Sequence, residues 1–374
     1  MNEARVITLL RDLIRIPSEN PPGDEREIAA FIMSFLKGQG YRPRRIAYAS
    51  GRDNVVVTAG KAGAKKRVLL SPHIDTVPAG EGWKYGPFDG TVAGVKVFGR
   101  GAADCKINVA VSLEILAQLA ERAFELNDLE IVYAATADEE TGSALGFVPL
   151  VKELPVCDYA LVMDGEDFKI ENAQKGLRHV TVTLYGKRAH GAYVERGDNA
   201  AVRAMKLYEQ VERMVTAFNR RDKQCLMTVN LGVIEAGDKV NMVPDSCRMQ
   251  LDFRFMGNDT GRLLMRELKA LAKQAARKAT VEAQHSQEPC LCPRRTTLAQ
   301  SLEKALRKNK RPVRYELSKG ATVLSYIPKK TQAVIMGFGD PGVFHCTNEY
   351  VSIKNILDGV NVVRDALIEL DRNG

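Results

Sequence analysis

Residues 68–78 read Val-Leu-Leu-Ser-Pro-His-Ile-Asp-Thr-Val-Pro. The apolar run at 68–70 predicts a short buried strand. His73 and Asp75 follow it two residues apart, so their side chains point the same way in an extended chain. In open α/β sheets ligands bind at the carboxyl ends of the strands. A carboxylate beside a histidine can orient the imidazole toward a metal ion, although this pair taken alone is more often an ordinary exit from a strand.

The length and composition indicate a globular protein with more than one core. A chain of 374 residues favours two domains, and 45% hydrophobic with 27% charged residues is ordinary for a soluble protein. There is no apolar run of membrane-spanning length and no signal-peptide pattern. The seven cysteines are scattered and odd in number, which suits a reducing compartment. We expect a cytoplasmic protein that does not bind membranes.

The net charge of +8 raises the possibility of an acidic partner. The densest basic clusters, at 61–67 and 307–314, contain no aromatic residues on which bases could stack. The charge is therefore better explained by a solvated surface that steers carboxylate-bearing substrates. We expect no nucleic-acid partner, and nucleic-acid binding remains a minor alternative.

Helices and strands alternate at both ends of the chain. Helices are predicted at 3–16, 25–37 and 353–370, and strands at 54–58, 68–70, 129–135, 159–163 and 334–338. Between them the predicted order is strand, helix, strand, strand, helix, strand, which is typical of a ferredoxin-like unit. We therefore expect a discontinuous α/β domain with a mostly parallel sheet and helices on both faces, formed by residues 1–174 and 291–374. An inserted α+β domain would occupy residues 175–290.

Several acids and histidines share one property: each lies at or just beyond the end of a predicted strand, or at the start of the next helix. They are His73, Asp104, Glu139, Glu140, Asp164 and His345. In a doubly wound sheet such positions converge on one cleft. Nitrogen and oxygen ligands suit zinc and tolerate cobalt or manganese. One carboxylate can bridge two ions about 3.5–4 Å apart, and a remaining glutamate can act as general base.

Structural roles for the same residues remain open at this point. Asp104 precedes a predicted helix, where an aspartate is commonly an N-cap. Glu139 and Glu140 follow a strand, and adjacent glutamates at such a place are more often solvated loop acids.

The chain resembles the dizinc amidohydrolases that include acetylornithine deacetylase, succinyl-diaminopimelate desuccinylase, aminoacylase and glutamate carboxypeptidase. The matching pieces keep the order of that family: 71–78, 99–104, 138–143, Asp164, Lys175-Gly176, 189–191, 241–244 and 345–349. Together these motifs are highly specific, because they span most of the chain in one order.

The resemblance implies a ligand set for two divalent ions. His73 and Asp164 would hold one ion, Glu140 and His345 the other, and Asp104 would bridge both. Zinc is the preferred metal, with cobalt or manganese as alternatives.

The resemblance also implies roles for two further carboxylates. Asp75 would support His73, and Glu139 would be the general base. Glu139 would take a proton from the metal-bound water, which attacks the amide carbon, and pass it to the leaving amine. Glu166 is a rival of Asp164 as a ligand, and we prefer Asp164.

In the family the inserted domain is a lid that also forms the dimer. We therefore expect a homodimer assembled through residues 175–290. His190 would reach into the neighbouring subunit's cleft and stabilise the oxyanion, as a pre-positioned donor can. Asn241 and Arg254 would hold the substrate, and a guanidinium fork suits a substrate carboxylate.

Two segments depart from the family pattern. Asp104 is followed by Cys-Lys-Ile-Asn where the family usually has Met-Lys-Gly-Gly. Residues 318–324 stand where many members have Gly-Gly-Thr-Ser-Asp, and apolar Val323 takes the place of the acid. The second departure argues against copying the substrate side chain from either the deacetylase or the desuccinylase.

We expect a metal-dependent hydrolase that cleaves the amide bond of a small N-acyl-amino acid bearing a carboxylate. A dipeptidase or carboxypeptidase using the same dinuclear site is the alternative. A binding protein without catalysis on the same scaffold is a further alternative, and the intact pair of Glu139 and Glu140 speaks against it.

Overall fold

A computed structural model describes residues 2–257, 259–318, 320 and 322–373. Within this part of the chain the helices are α1 (Glu3–Arg15), α2 (Arg26–Gly38), α3 (Lys106–Ala120), α4 (Phe147–Leu150), α5 (Ala200–Arg221), α6 (Thr260–Ala275), α7 (Thr297–Lys308) and α8 (Ile353–Asn373). None of the described helices combines the length and apolarity needed to cross a bilayer. Lys319 and Ala321, which belong to the divergent segment 318–324, lie outside the described residues.

The described strands, in chain order, are β1 (Arg44–Ala47), β2 (Asp53–Gly60), β3 (Lys66–Ser71), β4 (Thr91–Ala93), β5 (Lys96–Phe98), β6 (Leu129–Ala135), β7 (Tyr159–Val162), β8 (Ile170–Gln174), β9 (Gly176–Tyr185), β10 (Ala189–His190), β11 (Thr228–Ala236), β12 (Met242–Val243), β13 (Ser246–Phe255), β14 (Lys278–Gln287), β15 (Cys290–Leu291), β16 (Tyr315–Ser318), β17 (Gln332–Ile335) and β18 (Tyr350–Ser352).

The chain divides into two compact units. The first comprises Met1–Ala173, Cys292–Leu317 and Thr322–Gly374, and the second Gln174–Leu291 with Ser318–Ala321. Gln174 and Leu291, which we expected in the first domain, group with the second unit. The Gln174 side chain hydrogen-bonds Gln287, another residue of that unit, at 3.4 Å.

A central sheet organises the first unit. Seven of its nine strands lie in the order β1-β2-β6-β3-β7-β17-β8, and β16 also pairs with β8. The four strands β6, β3, β7 and β17 are mutually parallel, whereas β2 and β8 join them in antiparallel fashion. This parallel centre confirms the predicted α/β fold.

Burial on both faces explains why the central strands are continuously apolar. Val68, Leu69 and Leu70 of β3 are at most 3% exposed, because packed layers cover both sides of the sheet. The buried residues of α1 recur at helical spacing, from Val6 to Ile14, and its N-cap Asn2 accepts a hydrogen bond from the main chain of Arg5. Burying each such aliphatic side chain is worth about 1.5–3 kcal/mol.

The strand before Asp104 lies outside the central sheet, contrary to what a doubly wound arrangement predicts. That strand, β5, pairs in antiparallel fashion with β4 and β18 in a separate three-stranded sheet. Val97 pairs with Val351 there and both are fully buried, so apolar pairing holds β5 away from the parallel strands. Asp104 therefore follows a glycine-flanked turn and not the end of a central strand.

The second unit is a four-stranded antiparallel sheet in the order β11-β13-β9-β14. Its elements follow the predicted order β9-α5-β11-β13-α6-β14. Alternate residues such as Val180, Val182 and Phe253 form a core with the apolar faces of α5 and α6. The last strand of this order, β14, is long because it pairs along most of β9.

Candidate metal centre

His73 enters the site directly after β3. It forms a parallel bridge with Thr136, which follows β6, and the main-chain N–H of Ile74 donates to the carbonyl of Thr136 at 2.9 Å. The ring is buried. Its Nδ1 lies 3.0 Å from the main-chain oxygen of Asp75, and its Nε2 lies 3.1 Å from Oδ1 of Asp104. The first contact fixes the ring so that Nε2 points at the Asp104 carboxylate.

The Asp104 carboxylate lies between two histidines. Oδ1 is 3.1 Å from Nε2 of His73, and Oδ2 is 3.1 Å from Nε2 of His345. The N-cap of α3 is Cys105, and Asp104 makes no capping bond there. The structure therefore excludes the N-cap interpretation, and Asp104 presents one oxygen to each histidine, as a carboxylate that bridges two ions must.

Two groups of potential ligands share Asp104. In one group, atoms of His73, Asp104 and Asp164 all lie within 4.8 Å of one another. In the other, the same holds for Asp104, Glu140 and His345. These two groups have the same members as the two ligand sets that the family resemblance implies.

Asp75 holds the turn that carries the two glutamates. Its Oδ1 accepts the main-chain N–H of Glu139 at 3.0 Å, and its Oδ2 accepts that of Glu140 at 3.1 Å. The Asp75 carboxylate is 3.5 Å from Nδ1 of His73, farther than the main-chain oxygen that contacts the same nitrogen. The Asp75 carboxylate thus lies beside His73, and its expected role in supporting that histidine stays a prediction.

Asn20 is a residue near the site that sequence reasoning missed. Its Nδ2 donates to Oδ2 of Asp75 at 2.9 Å and to Oγ1 of Thr141 at 3.1 Å. Arg52 in turn donates to Oδ1 of Asn20 at 3.0 Å and to Glu25 at 2.8 Å. The sequence signal was the turn Asn-Pro-Pro-Gly at 20–23, which indicates a special backbone and says nothing about the side chain's partner.

The hydrogen bonds around Asp104 lower its own pKa and raise the pKa values of the two neighbouring histidines. Hydrogen bonds to Asp104 and Glu140 raise the pKa of His345 to about 10. Burial raises the pKa of Asp104, but its bonds to His345 and His73 outweigh burial and hold it far below its ordinary range. In the same way burial opposes charging of His73, but its interactions with Cys105, Asp104 and Asp75 raise its pKa well above the usual value.

The surroundings of the other two carboxylates, Asp164 and Glu139, disfavour their charged forms. Burial, followed by repulsion from Asp104, raises the pKa of Asp164 to about 7. Burial also raises the pKa of Glu139 well above its usual value, and repulsion from Asp164 and Glu140 adds to it. Bringing these acids together therefore costs free energy, which bound cations would offset.

The residues present fit divalent cations. Oε1 of Glu140 is buried and has no hydrogen-bond partner among the described residues, and its Oε2 lies 3.3 Å from Nε2 of His345. Buried acceptors are rarely left without a partner, and a bound cation would satisfy this oxygen. Two imidazoles with three carboxylates suit zinc, cobalt or manganese better than magnesium or calcium.

Glu166 belongs to neither ligand group. Its carboxylate pairs with Lys169 at 3.0 Å and accepts the main-chain N–H of Gly342 at 2.9 Å. Of the two rivals, Asp164 is the one that the structure brings to the candidate metal centre.

The other three predicted site residues lie in the second compact unit. His190 is exposed, and its Nδ1 accepts the main-chain N–H of Ala192 at 3.1 Å. The main-chain oxygen of Asn241 accepts the N–H of Gly191 at 2.8 Å, so Asn241 and His190 are neighbours. Arg254 is held by Asp252, to which its Nε donates at 2.9 Å.

Comparison with known proteins identifies the family to which this chain belongs. The sequence profile of Peptidase family M20/M25/M40 matches residues 69–369. The chain is 27% identical to an acetylornithine deacetylase from Edwardsiella ictaluri over 375 residues, covering 94% of each chain. It is 25% identical to a succinyl-diaminopimelate desuccinylase from Gluconobacter oxydans over 303 residues, covering 76% of each.

Solved structures share the fold along the whole chain. A tripeptidase from Staphylococcus aureus superposes with a TM-score of 0.82 at 20% identity, covering 100% of both chains. A dinuclear metal-binding peptidase of the M20 family from Bacillus subtilis superposes with a TM-score of 0.76 at 17% identity, covering 98% of both. The profile match extends over most of the chain and includes every residue of the two ligand groups. The chain therefore belongs to Peptidase family M20/M25/M40, and it is a metallohydrolase of that family.

Proposed function

We propose that this protein hydrolyses the amide bond of a small N-acyl-amino acid. The observation that carries the proposal is the Asp104 carboxylate, which faces His73 with one oxygen and His345 with the other. The deacetylase and desuccinylase names of the sequence relatives support this reaction class.

In this proposal His73 and Asp164 would hold one divalent cation, Glu140 and His345 would hold a second, and Asp104 would serve both. Zinc is the preferred metal. When bound, the cations polarise the scissile carbonyl and lower the pKa of a water molecule. The orphaned Oε1 of Glu140 supports its assignment as a ligand.

Glu139 is proposed as the general base. Its carboxylate belongs to neither ligand group and would be available to take a proton from the water that attacks the amide carbon. Its main chain is held by Asp75, which keeps the carboxylate in place while the proton moves. Glu139 then returns that proton to the nitrogen of the leaving amine.

Residues of the second unit are proposed to bind the substrate. Asp252 binds Nε and Nη2 of Arg254, which fixes the plane of the guanidinium for a substrate carboxylate. Asn241 would hold the substrate with it. His190 would donate to the charge that develops on the carbonyl oxygen.

We further propose that residues 175–290 form a lid and the contact surface of a homodimer, in which His190 serves the neighbouring subunit's site. Residues 1–174 and 291–374 would form the catalytic domain. The seven cysteines are scattered along the chain and odd in number, which supports a reducing compartment such as the cytoplasm.

A dipeptidase or carboxypeptidase reaction is the second candidate. Val323, which is 5% exposed, stands where many members of the family carry an acid, so the site need not select the substrate of the named relatives. The tripeptidase with the same fold lends this alternative weight.

The test is a metal-dependent substrate screen. Dialysis against a chelator should abolish hydrolysis and added zinc or cobalt should restore it, because the ligand groups lack their ions. N-acetyl, N-succinyl and N-formyl amino acids are assayed beside dipeptides, with Glu139→Gln as inactive variant and Glu166→Gln as matched control. Full activity after verified metal removal, or in E139Q, would contradict the proposal. Cleavage of dipeptides alone would select the second candidate.

A further inference from the structure

A fully buried carboxylate, Glu349, binds the turn that carries Asp104. Its Oε1 accepts the main-chain N–H of Ala103 at 2.7 Å and that of Asp104 at 3.0 Å. Its Oε2 accepts the N–H of Gly101 at 3.1 Å. Three N–H groups of one turn therefore converge on a single carboxylate, in the manner of a main-chain anion nest.

The shape of the turn depends on glycine at position 101. Gly101 has a φ of +84°, a conformation that other residues rarely adopt. A Cβ atom there would lie 2.8 Å from Lys106 and 2.9 Å from Thr76. The N–H groups are thus directed at Glu349 by a backbone that tolerates no side chain at this position.

Arg100 joins the same carboxylate to two other loops. Its Nη1 donates to Oε2 of Glu349 at 2.7 Å and to the main-chain oxygen of Cys346 at 3.3 Å. Its Nη2 donates to the main-chain oxygens of Pro78 and Ala79, each at 3.2 Å. Pro78 and Ala79 lie in the loop that follows His73, and Cys346 is the residue after His345.

The pair formed by Glu349 and Arg100 thus contacts all three chain segments that carry His73, Asp104 and His345. These are the residues whose side chains meet at the Asp104 carboxylate. Bonds to charged groups in a buried site are stronger than neutral ones and hold their partners in one geometry.

We propose that Glu349, together with Arg100, is a positioning residue pair for the metal centre, which sets the place of the Asp104 carboxylate relative to His73 and His345. The inference rests on the function proposed above. Glu349 belongs to neither candidate ligand group among the described residues and acts through the main chain of the Asp104 turn.

The competing role for this pair is a buried ion pair that contributes only to folding. The first unit contains such a pair at a comparable depth. Glu114 is fully buried and pairs with Arg5 at 2.6 Å, and it joins α3 to α1 without contacting a loop of the site. Glu114→Gln is therefore a matched control for the loss of a buried carboxylate.

The experiment measures ion binding and stability on the full chain. Glu349→Gln keeps the shape of the side chain but places an amide NH₂ where an oxygen accepted main-chain N–H groups, so the Asp104 turn must shift. Metal-free wild type, E349Q and E114Q are titrated with Zn²⁺ against a chromophoric chelator, and their urea unfolding is recorded. At least one of two ions should bind E349Q about 10- to 100-fold more weakly, as is typical when a partner that orients ligands is lost. E114Q should lose stability and bind both ions as the wild type does.

Unchanged affinity for both ions in folded E349Q would overturn the inference and leave the proposed function intact. If E349Q does not fold, Arg100→Lys is titrated in its place. Weaker binding of at least one ion supports the inference, and wild-type affinities for both ions refute it. A wild type that binds no ions would refute the proposed function, and the inference with it.

Discussion

Replacing Asp75 by asparagine tests how the two glutamates are held. The Asp75 carboxylate accepts the main-chain N–H groups of Glu139 and Glu140 and the side-chain amide of Asn20, all at 2.9–3.1 Å. Asparagine keeps one oxygen and presents an NH₂ group in place of the other. At least one of the two main-chain N–H groups therefore loses its acceptor.

The magnitude follows from these bonds. A buried N–H without a partner costs about 1–3 kcal/mol, and exchanging a bond to a charged acceptor for a neutral one costs about 1 kcal/mol more. The free energy of unfolding of the metal-free protein should fall by about 2–4 kcal/mol. If the same free energy is lost from the transition state, kcat/KM of the metal-loaded enzyme falls about 30- to 900-fold.

The assay combines urea unfolding of the metal-free protein with steady-state kinetics of the metal-loaded protein. Asp365→Asn is the control, because Asp365 is also buried and binds Lys308 and Asn309 at 2.9–3.0 Å between α7 and α8, outside the site. D365N should lose stability and keep its kcat/KM. A D75N variant that lost stability but retained wild-type kcat/KM would refute the role of Asp75 in holding Glu139 and Glu140.

Two further predictions concern pH and assembly. Burial, followed by repulsion from Asp75, raises the pKa of Glu25 to about 7 despite its bond to Arg52. Because the folded-state pKa lies above the unfolded value, Glu25 favours folding most below pH of about 4.5, and this contribution is lost as pH rises toward 7. Urea titrations at several pH values should show the wild type losing stability relative to Glu25→Gln over that interval, and parallel curves would contradict this. For assembly, mixing inactive His190→Ala with inactive Glu139→Ala subunits should restore activity if His190 serves the neighbouring site, whereas verified exchange without recovery would argue for a site within one chain.

The local sequence pattern was sufficient to predict most helices and strands of the fold. The helical spacing in α1 and the apolar run of β3 predicted both elements closely, because each is defined by residues near one another in the chain. The order β-α-β-β-α-β in the second unit was also predictable, because alternation of buried residues marks each strand. The pairing of β5 with β18 could not be predicted, because 253 residues lie between the paired Val97 and Val351 and no local pattern links them.

The features of the candidate site also divide into those that the sequence predicted and those that only the structure revealed. The candidate ligands were predictable, because histidine and carboxylate at strand ends form a chemical pattern that can be read along the chain. The sequence by itself determined which side chains are candidates for binding cations, and the family resemblance in that sequence proposes Glu139 as the base. Only the tertiary structure decided that Asp75 holds Glu139 and Glu140, that Asn20 binds Asp75, and that Glu349 binds the Asp104 turn. These contacts are hydrogen bonds to main-chain groups and distant side chains, which any polar residue in the right place could make, so residue type alone does not reveal them.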